Sequence, residues 1–366
     1  MKIALLLSGG VDSSVALSLL RARASADITA FYLKIWLEDE LAYLGNCPWE
    51  EDLTYARAVC ELLGVRLEIV PLQREYFDRV VTYALAELKE GRTPSPDIFC
   101  NQRIKFGIFY DHIADRYEKI ATGHYARVEE LGGRYHLFRA PDPVKDQTYF
   151  LSHLRQEQVA RALFPIGSMK KSEVRELAFA QNLPNKARPD SQGICFLGKI
   201  KYPDFVRHYL GERSGEIIDR ETGRVLGEHR GFWFHTIGQR QGLGLGNGPW
   251  YVVAKDVARN RVYVSHGARP DARHQRVLTV TSPSWIGDAP GEGPYSIKLR
   301  HGAELHDCSI TYLDGERIRI VMDTPDDGIA PGQFAVFYSG EECLGGARIE
   351  SSAPVTPEPA ELALGG

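Results

Sequence analysis

No stretch of the 366 residues approaches the roughly 20 consecutive apolar side chains that a membrane-spanning helix needs. Cysteine is scarce. Six residues are too few for a disulfide scaffold at this length, and none form a C-x-x-C pair, which argues against a structural zinc site. There is no internal repeat and no low-complexity tract. The apolar start through Leu7 is cut short by Ser8-Gly9-Gly10-Val11-Asp12 and leaves no small-residue cleavage pattern, so it reads as a buried strand and not a signal peptide. The expected compartment is the cytoplasm. An ordinary hydrophobic content of 43% and charged content of 25% fit two or three folded domains.

The formal charge of −4 is unevenly spread. Residues 152–213 hold eleven Lys and Arg against six Asp and Glu, whereas residues 302–366 hold three against twelve. The basic stretch is either a polyanion-binding face or a solvated helical surface.

Strands and helices alternate through the first third. Ile3–Leu7 is a continuous apolar run, as in a parallel strand covered on both faces. Further strands are expected at 28–36, 66–72 and 119–122. Helices are expected at 49–63, 75–89 and from about Asn101, with a helical pattern from Leu154 to Leu183. This order predicts a doubly wound parallel sheet, with ligands beyond the carboxyl ends of the strands. After about Phe205 the texture turns to Gly and aromatic residues. Short β-rich runs follow at 261–265, 276–281, 295–299, 309–313, 317–322 and 333–338, predicting a small antiparallel barrel. The expected division is a doubly wound α/β domain with a helical part over 1–204, a small mixed or β central domain over 205–275, and a C-terminal β-barrel over 276–366. A frayed tail is expected after Ser352.

The Ser8-Gly9-Gly10-Val11-Asp12-Ser13-Ser14 segment joins the first strand to the first helix. Two glycines permit a tight turn and close approach of the backbone to a ligand, and the helix start offers free N–H groups to phosphate. No Lys follows them, so this is not the Walker loop, and it is not G-x-G-x-x-G. The S-G-G-x-D-S pattern resembles the PP-loop of the ATP pyrophosphatase superfamily, whose members transfer AMP to a carbonyl or carboxyl oxygen.

Two cysteines stand in distinctive settings. Pro94-Ser95-Pro96-Asp97-Ile98-Phe99-Cys100-Asn101 puts Cys100 at or near a helix start, where a thiol pKa falls, with Lys105 adding to the effect. Cys195 lies in Gly193-Ile194-Cys195-Phe196-Leu197-Gly198. On these residues alone, each thiol is as readily a core side chain as a reactive group.

These segments, together with Gly91-Arg92-Thr93-Pro94, Ala121-Thr122-Gly123-His124-Tyr125, Lys145-Asp146-Gln147, His235-Thr236-Ile237-Gly238-Gln239-Arg240, Pro249–Val253 and Pro331-Gly332-Gln333, run in order over nearly the whole chain. The chain resembles the bacterial tRNA-specific 2-thiouridylases (MnmA). The resemblance implies ATP-dependent 2-thiolation of the wobble uridine, through adenylation of the C2 oxygen. It places ATP with Mg2+ against Leu6, Leu7, Ser8, Gly9, Gly10, Val11, Asp12, Ser13, Leu33 and Gly123. It makes Cys195 the persulfide carrier, charged by a sulfur-donor protein, and Cys100 the nucleophile that ends in a Cys100–Cys195 disulfide. The partner is a tRNA anticodon stem-loop and not DNA. Its expected contacts are Ser95, Pro96 and Asp97 at the target base, with His124, Lys145, Asp146, Gln147, Arg300, His301 and Gln333 elsewhere. Two positions depart from the family pattern: Ser95 stands where Asn is usual, and His301 where Tyr is usual. Two other readings keep the nucleotide loop. In one, Asp97, Cys100 and Cys195 hold an iron–sulfur cluster that delivers the sulfur. In the other, the chain is a different PP-loop synthetase or ligase, which needs no thiol pair.

Overall fold

The computed structural model describes residues 1–23, 27–35, 49–190, 200–266, 275–326 and 328–354. In the first domain the strands are β1 (Lys2–Leu6), β2 (Asp27–Lys34), β3 (Arg66–Pro71), β4 (Lys119–Ala121), the hairpin β5 (Ala126–Leu131) and β6 (Arg134–Arg139), and the two-residue β7 (Ala162–Leu163). The sheet order is β3-β2-β1-β4-β7, all parallel. Ile3, Ala4 and Leu5 have no exposed surface because helices cover both faces of β1. The strand order reverses between β1 and β4, so the loops after these two strands bound a crevice.

The helices are α1 (Val11–Arg21), α2 (Trp49–Leu63), α3 (residues 73–89), α4 (residues 96–113), α5 (Thr148–Leu151), α6 (Gln156–Arg161), α7 (Lys171–Ala180) and α8 (Tyr202–Leu210). Helix α2 has the expected bounds. Helix α4 begins at Pro96, earlier than expected, because proline's fixed φ suits the first helical position. From Cys100 to Ile108 it winds with wider, i to i+5 turns. The expected helical stretch from 154 to 183 is broken into α6 and α7 by β7 and the turns after it.

The middle domain holds β8 (Gly215–Asp219), β9 (Val225–His229), β10 (Trp250–Asp256) and β11 (Arg261–His266) in the order β10-β11-β8-β9, with β11 and β8 parallel. Its own core is Ile217, Phe232, Leu243, Val252, Val262 and Val264.

The C-terminal strands are β12 (Gln275–Trp285), β13 (Gly293–Lys298), β14 (His306–Tyr312), β15 (Arg317–Met322), β16 (Phe334–Ser339) and β17 (Glu342–Pro354). They run β12-β15-β14-β13-β16-β17, and β17 pairs back with β12 to close a six-stranded antiparallel barrel. Strand β17 was not anticipated as a strand, since Gly345-Gly346 weakens β propensity. Those glycines lie where the backbone and ring of Trp285 and the ring of His153 approach closely. The hairpin β5–β6 continues the barrel sheet, with Cys343 of β17 opposite Leu137 of β6. One apolar cluster joins Ile98, Phe99 and Cys100 of the first domain to Phe334, Val336 and Tyr338 of the barrel.

Candidate active site

Strand β1 ends where Gly9 takes a φ of 77°, a backbone conformation side chains disfavour. A Cβ there would lie 2.3 Å from the Asp52 carbonyl oxygen. The turn closes on itself: Ser8 N–H donates to Ser13 Oγ at 3.3 Å, and Ser13 Oγ–H donates to the Gly10 carbonyl at 3.1 Å. The Asn185 amide braces it from outside, donating to the Gly9 carbonyl at 2.7 Å and to Ser14 Oγ at 2.9 Å. Arg188 donates to the same carbonyl while paired with Asp52. Helix α1 therefore starts on a fixed loop, with its first-turn N–H groups available to an anion. Gly123, after β4, lies against this start. A Cβ there would be 2.7 Å from the Ser13 nitrogen and 2.8 Å from the Asp12 carbonyl carbon. Leu6, Leu7 and Val11 are buried and Leu33 is half-buried at the end of β2. Contact with a ligand at the buried three runs through the main chain.

Asp12 faces a cation that its own loop lacks. Lys171 Nζ, at the start of α7, lies 2.7 and 2.9 Å from its two carboxylate oxygens, and the Tyr125 hydroxyl donates at 2.8 Å. The same ammonium is 2.8 Å from Asp190, which also accepts from Lys145 at 2.7 Å and pairs with Arg175. Burial alone would raise the Asp190 pKa; hydrogen bonds from Lys145 and Lys171 outweigh it and hold the carboxyl well below its usual range. Asp142 fixes the loop before α5, accepting from the Lys171 backbone at 3.0 Å and from Val144 and Lys145 at 3.1 Å each.

Cys100 is 1% exposed and sits one turn inside α4. Ser95, not Asp97, occupies the cap position, and the helix-end field on the thiol is weaker than a first-turn placement would give. Asn101 ties this turn together, its amide donating to the Asp97 carbonyl at 3.1 Å and to the Phe150 carbonyl at 3.2 Å. Lys105 donates to Asn101 Oδ1 at 3.0 Å. Pro96 and Ser95 are buried and Asp97 is half-buried. The loop before α4 is clamped to the barrel: Arg92 makes a two-point ion pair with buried Glu87 at 2.7 and 2.8 Å, Arg348 reaches Glu87 at 3.2 Å, and Thr93 N–H donates to Pro331 at 2.9 Å. Cys195 and Cys47 lie outside the described residues. Cys60, Cys308 and Cys343 are buried core thiols whose pKa burial pushes up, to about 11 for Cys60 and about 12 for Cys308.

The expected RNA contacts divide in two. Lys145 and Gln333 are half-buried, and Arg300 and His301 are exposed. Arg300 is held by Asp326 at 2.6 and 2.9 Å, and the His301 ring stacks on Phe150. His124 and Asp146 are buried. His124 bonds Thr122 Oγ1 at 2.6 Å, and burial, with the Lys105 charge, keeps its ring neutral. Asp146 has no exposed surface and pairs with equally buried Lys298 at 2.6 Å. The Asp146 charge is thus compensated inside the protein. Gln147 is likewise engaged, its side-chain oxygen accepting from Tyr125 N–H at 3.0 Å.

A family model described as the tRNA methyl transferase HUP domain matches residues 1–199. Models described as the tRNA methyl transferase PRC-barrel domain and the aminomethyltransferase beta-barrel domain match 203–266 and 275–349. A tRNA-specific 2-thiouridylase of Parabacteroides distasonis is 47% identical over 357 residues, covering 95% of this chain and 99% of that protein. One from Bacteroides fragilis is 47% identical over 356 residues, covering 95% and 100%. One from Porphyromonas gingivalis is 43% identical over 360 residues, covering 95% and 99%. The chain belongs to the tRNA-specific 2-thiouridylase family.

Several residues that build this thiouridylase-family site were not singled out from the sequence. Lys171, Arg175 and Arg188 are visible in the sequence only as members of the basic stretch, Tyr125 only as the end of the Ala121–Tyr125 motif, and Asp190 as one of the few acidic residues within that stretch. Asn185, Asp142 and Phe150 gave no signal, because their roles depend on contacts between segments far apart in the chain.

Proposed function

We propose that this chain is a tRNA-uridine 2-sulfurtransferase that consumes ATP to adenylate the C2 oxygen of the wobble uridine and replaces that oxygen with sulfur. One observation supports this beyond family membership. The Cys100 turn is tied to the Arg300–His301 loop through Asn101, Phe150 and His301, and the Lys145 loop is tied to the nucleotide loop through Asp190, Lys171 and Asp12. Oxide is a poor leaving group and AMP a good one, so adenylation must precede sulfur attack. The α1 start and the Lys171 ammonium suit the phosphates of ATP. Magnesium is expected with ATP, but Asp12 already accepts from Lys171 and Tyr125 and does not fit as an open metal ligand here.

In the sulfur step, the terminal sulfur of a Cys195 persulfide attacks C2 and AMP leaves. The Cys100 thiolate then attacks the Cys195 sulfur, forming a Cys100–Cys195 disulfide and releasing the thiouridine. An external thiol reductant restores the pair, and a donor protein reloads Cys195. Asp97 reads the uracil edge beside Ser95 and Pro96. Lys145, Arg300, His301 and Gln333 hold the anticodon loop, with His124, Asp146 and Gln147 shaping the surface beneath. Catalysis falls to residues 1–204, while the middle domain (205–275) and barrel (276–366) extend the RNA surface. The cytoplasm is the fitting compartment. Among the described residues, no helix is long and apolar enough to cross a membrane.

The test is single-turnover assay of Cys100→Ala and Cys195→Ala with ATP, tRNA and a persulfide source. Both should release pyrophosphate while forming no free thiouridine, and AMP should leave only in Cys100→Ala, where the Cys195 persulfide can still displace it. Full thiolation by Cys195→Ala would reject the reading. The cluster alternative on Asp97, Cys100 and Cys195 predicts stoichiometric iron and sulfide after anaerobic purification; active protein without them excludes it.

A further inference from the structure

Asn185 is 1% exposed, and its side-chain oxygen has no hydrogen-bond partner among the described residues. A buried acceptor left unpaired costs stability, so the amide is held in this orientation by what its nitrogen does. Both bonds of that nitrogen go to the Ser8–Ser14 loop, at 2.7 Å to the Gly9 carbonyl and 2.9 Å to Ser14 Oγ. The carbonyl can only accept, so the nitrogen must face it and the oxygen is the atom left over. The same carbonyl takes a second donor, Arg188 at 3.2 Å. Arg188 is fixed in turn by its pair with Asp52 and by the Tyr55 ring, whose centroid lies 4.9 Å from the guanidinium carbon; both partners stand on α2.

A trans peptide points its C=O and its N–H in opposite directions. The Gly9 carbonyl points inward at Asn185 and Arg188, so the Gly10 N–H of the same peptide points outward. There it makes only a long contact, 3.4 Å, to the hydroxyl of exposed Ser8. Two donors on the carbonyl, one of them cationic, draw electron density through the amide and make its N–H a stronger donor. We propose that Asn185 and Arg188 are positioning residues for adenylation: they hold and polarise the Gly9–Gly10 peptide from behind, so that its N–H is aimed at the pyrophosphate leaving ATP. The proposal rests on Ser8–Ser14 being the ATP-phosphate loop. Asp52 already compensates the Arg188 charge, so what the loop gains is a directed donor and not net charge. A donor fixed in advance needs no reorganisation when negative charge develops on the leaving group.

The experiment is calorimetry of pyrophosphate binding to the full-length protein in magnesium buffer, beside competition of adenosine against bound ATP. Asn185→Leu, close in shape but without a donor, should weaken pyrophosphate about fivefold and leave adenosine affinity unchanged. Asn185→Asp sets an acceptor against the Gly9 carbonyl and should weaken pyrophosphate further. Arg188→Met alone would strand Asp52, so it is paired with Asp52→Asn. That double variant should regain the melting temperature lost in Arg188→Met and still bind pyrophosphate about tenfold more weakly than wild type. Wild-type pyrophosphate affinity in Asn185→Leu or in the Arg188→Met/Asp52→Asn variant, or an equal loss of adenosine affinity, would overturn the proposal alone. A wild-type protein that bound neither ATP nor pyrophosphate would overturn the phosphate-loop reading along with it.

Discussion

Lys171 supplies the positive charge that the Ser8–Ser14 loop lacks, and it does so from a helix 159 residues further along the chain. Lys171→Ala would leave Asp12 and Asp190 facing each other without their shared ammonium. Pyrophosphate release on adenylation should fall at least about tenfold, with a stability loss of about 1–3 kcal/mol from the broken charged hydrogen bonds; a coupled pyrophosphate assay and thermal melting measure the two. Gly123→Ala tests the close approach of the two loops. Its Cβ would meet backbone, which cannot swing aside, so ATP binding by calorimetry should be lost while tRNA binding persists. Asp190 links this network to solution pH. Its folded pKa is depressed, so its stabilisation is complete above the unfolded carboxylate value near 4 and is lost as pH falls below it. Asp190→Asn should flatten that part of the acid unfolding curve. At this scale the turn at Gly9 was legible in the sequence because glycine turns are local, whereas Cys100 falls a turn deeper into its helix than its flanking prolines suggested. Lys171 was not legible, because an ion pair between residues 12 and 171 has no local signature.

Among elements, the segments that carry function are held by the domain next to them. The loop before α4 rests on Glu87, Arg92 and Arg348, and the loop before α5 rests on Asp146 and Lys298. Both members of the second pair are fully buried, so Lys298→Met should destabilise the protein by roughly 3 kcal/mol, leaving the Asp146 charge to Arg139 at 3.6 Å. Asp146→Leu added to it should recover much of that in chemical denaturation, while tRNA affinity stays reduced because the Lys145 loop has lost its anchor. The parallel strands and α2 could be read from apolar period and length. The hairpin β5–β6 could not: its outer strand is half polar, and it is stabilised by pairing with β17, which the Gly345-Gly346 step hid in turn.

Across the whole molecule, the basic stretch at 152–213 is less open than its charge suggested. Lys171, Arg175, Arg188 and Arg207 are engaged with Asp12, Asp190, Asp52 and Asp204. RNA affinity should therefore depend on a few exposed cations. Of the five histidines buried among the described residues, desolvation lowers the pKa of four, His124, His153, His229 and His235, to about 3 for His153 and about 4 for His235. Their folded values lie below the unfolded value near 6.5, so the unfolded chain takes up protons first as pH falls. Stability should be fully present above about pH 6.5 and should drop by several kcal/mol on acidification towards pH 4, as measured by urea unfolding at fixed pH. His153→Gln should reduce the slope.

The most direct measurement is nucleoside mass analysis of tRNA after incubation with the protein, ATP and a persulfide donor. Sulfur should replace one oxygen at the wobble uridine, with one AMP released per exchange, and this should depend on both Cys100 and Cys195. ATP cleavage without any sulfur in the RNA, or sulfur incorporation in a protein lacking Cys195, would contradict it.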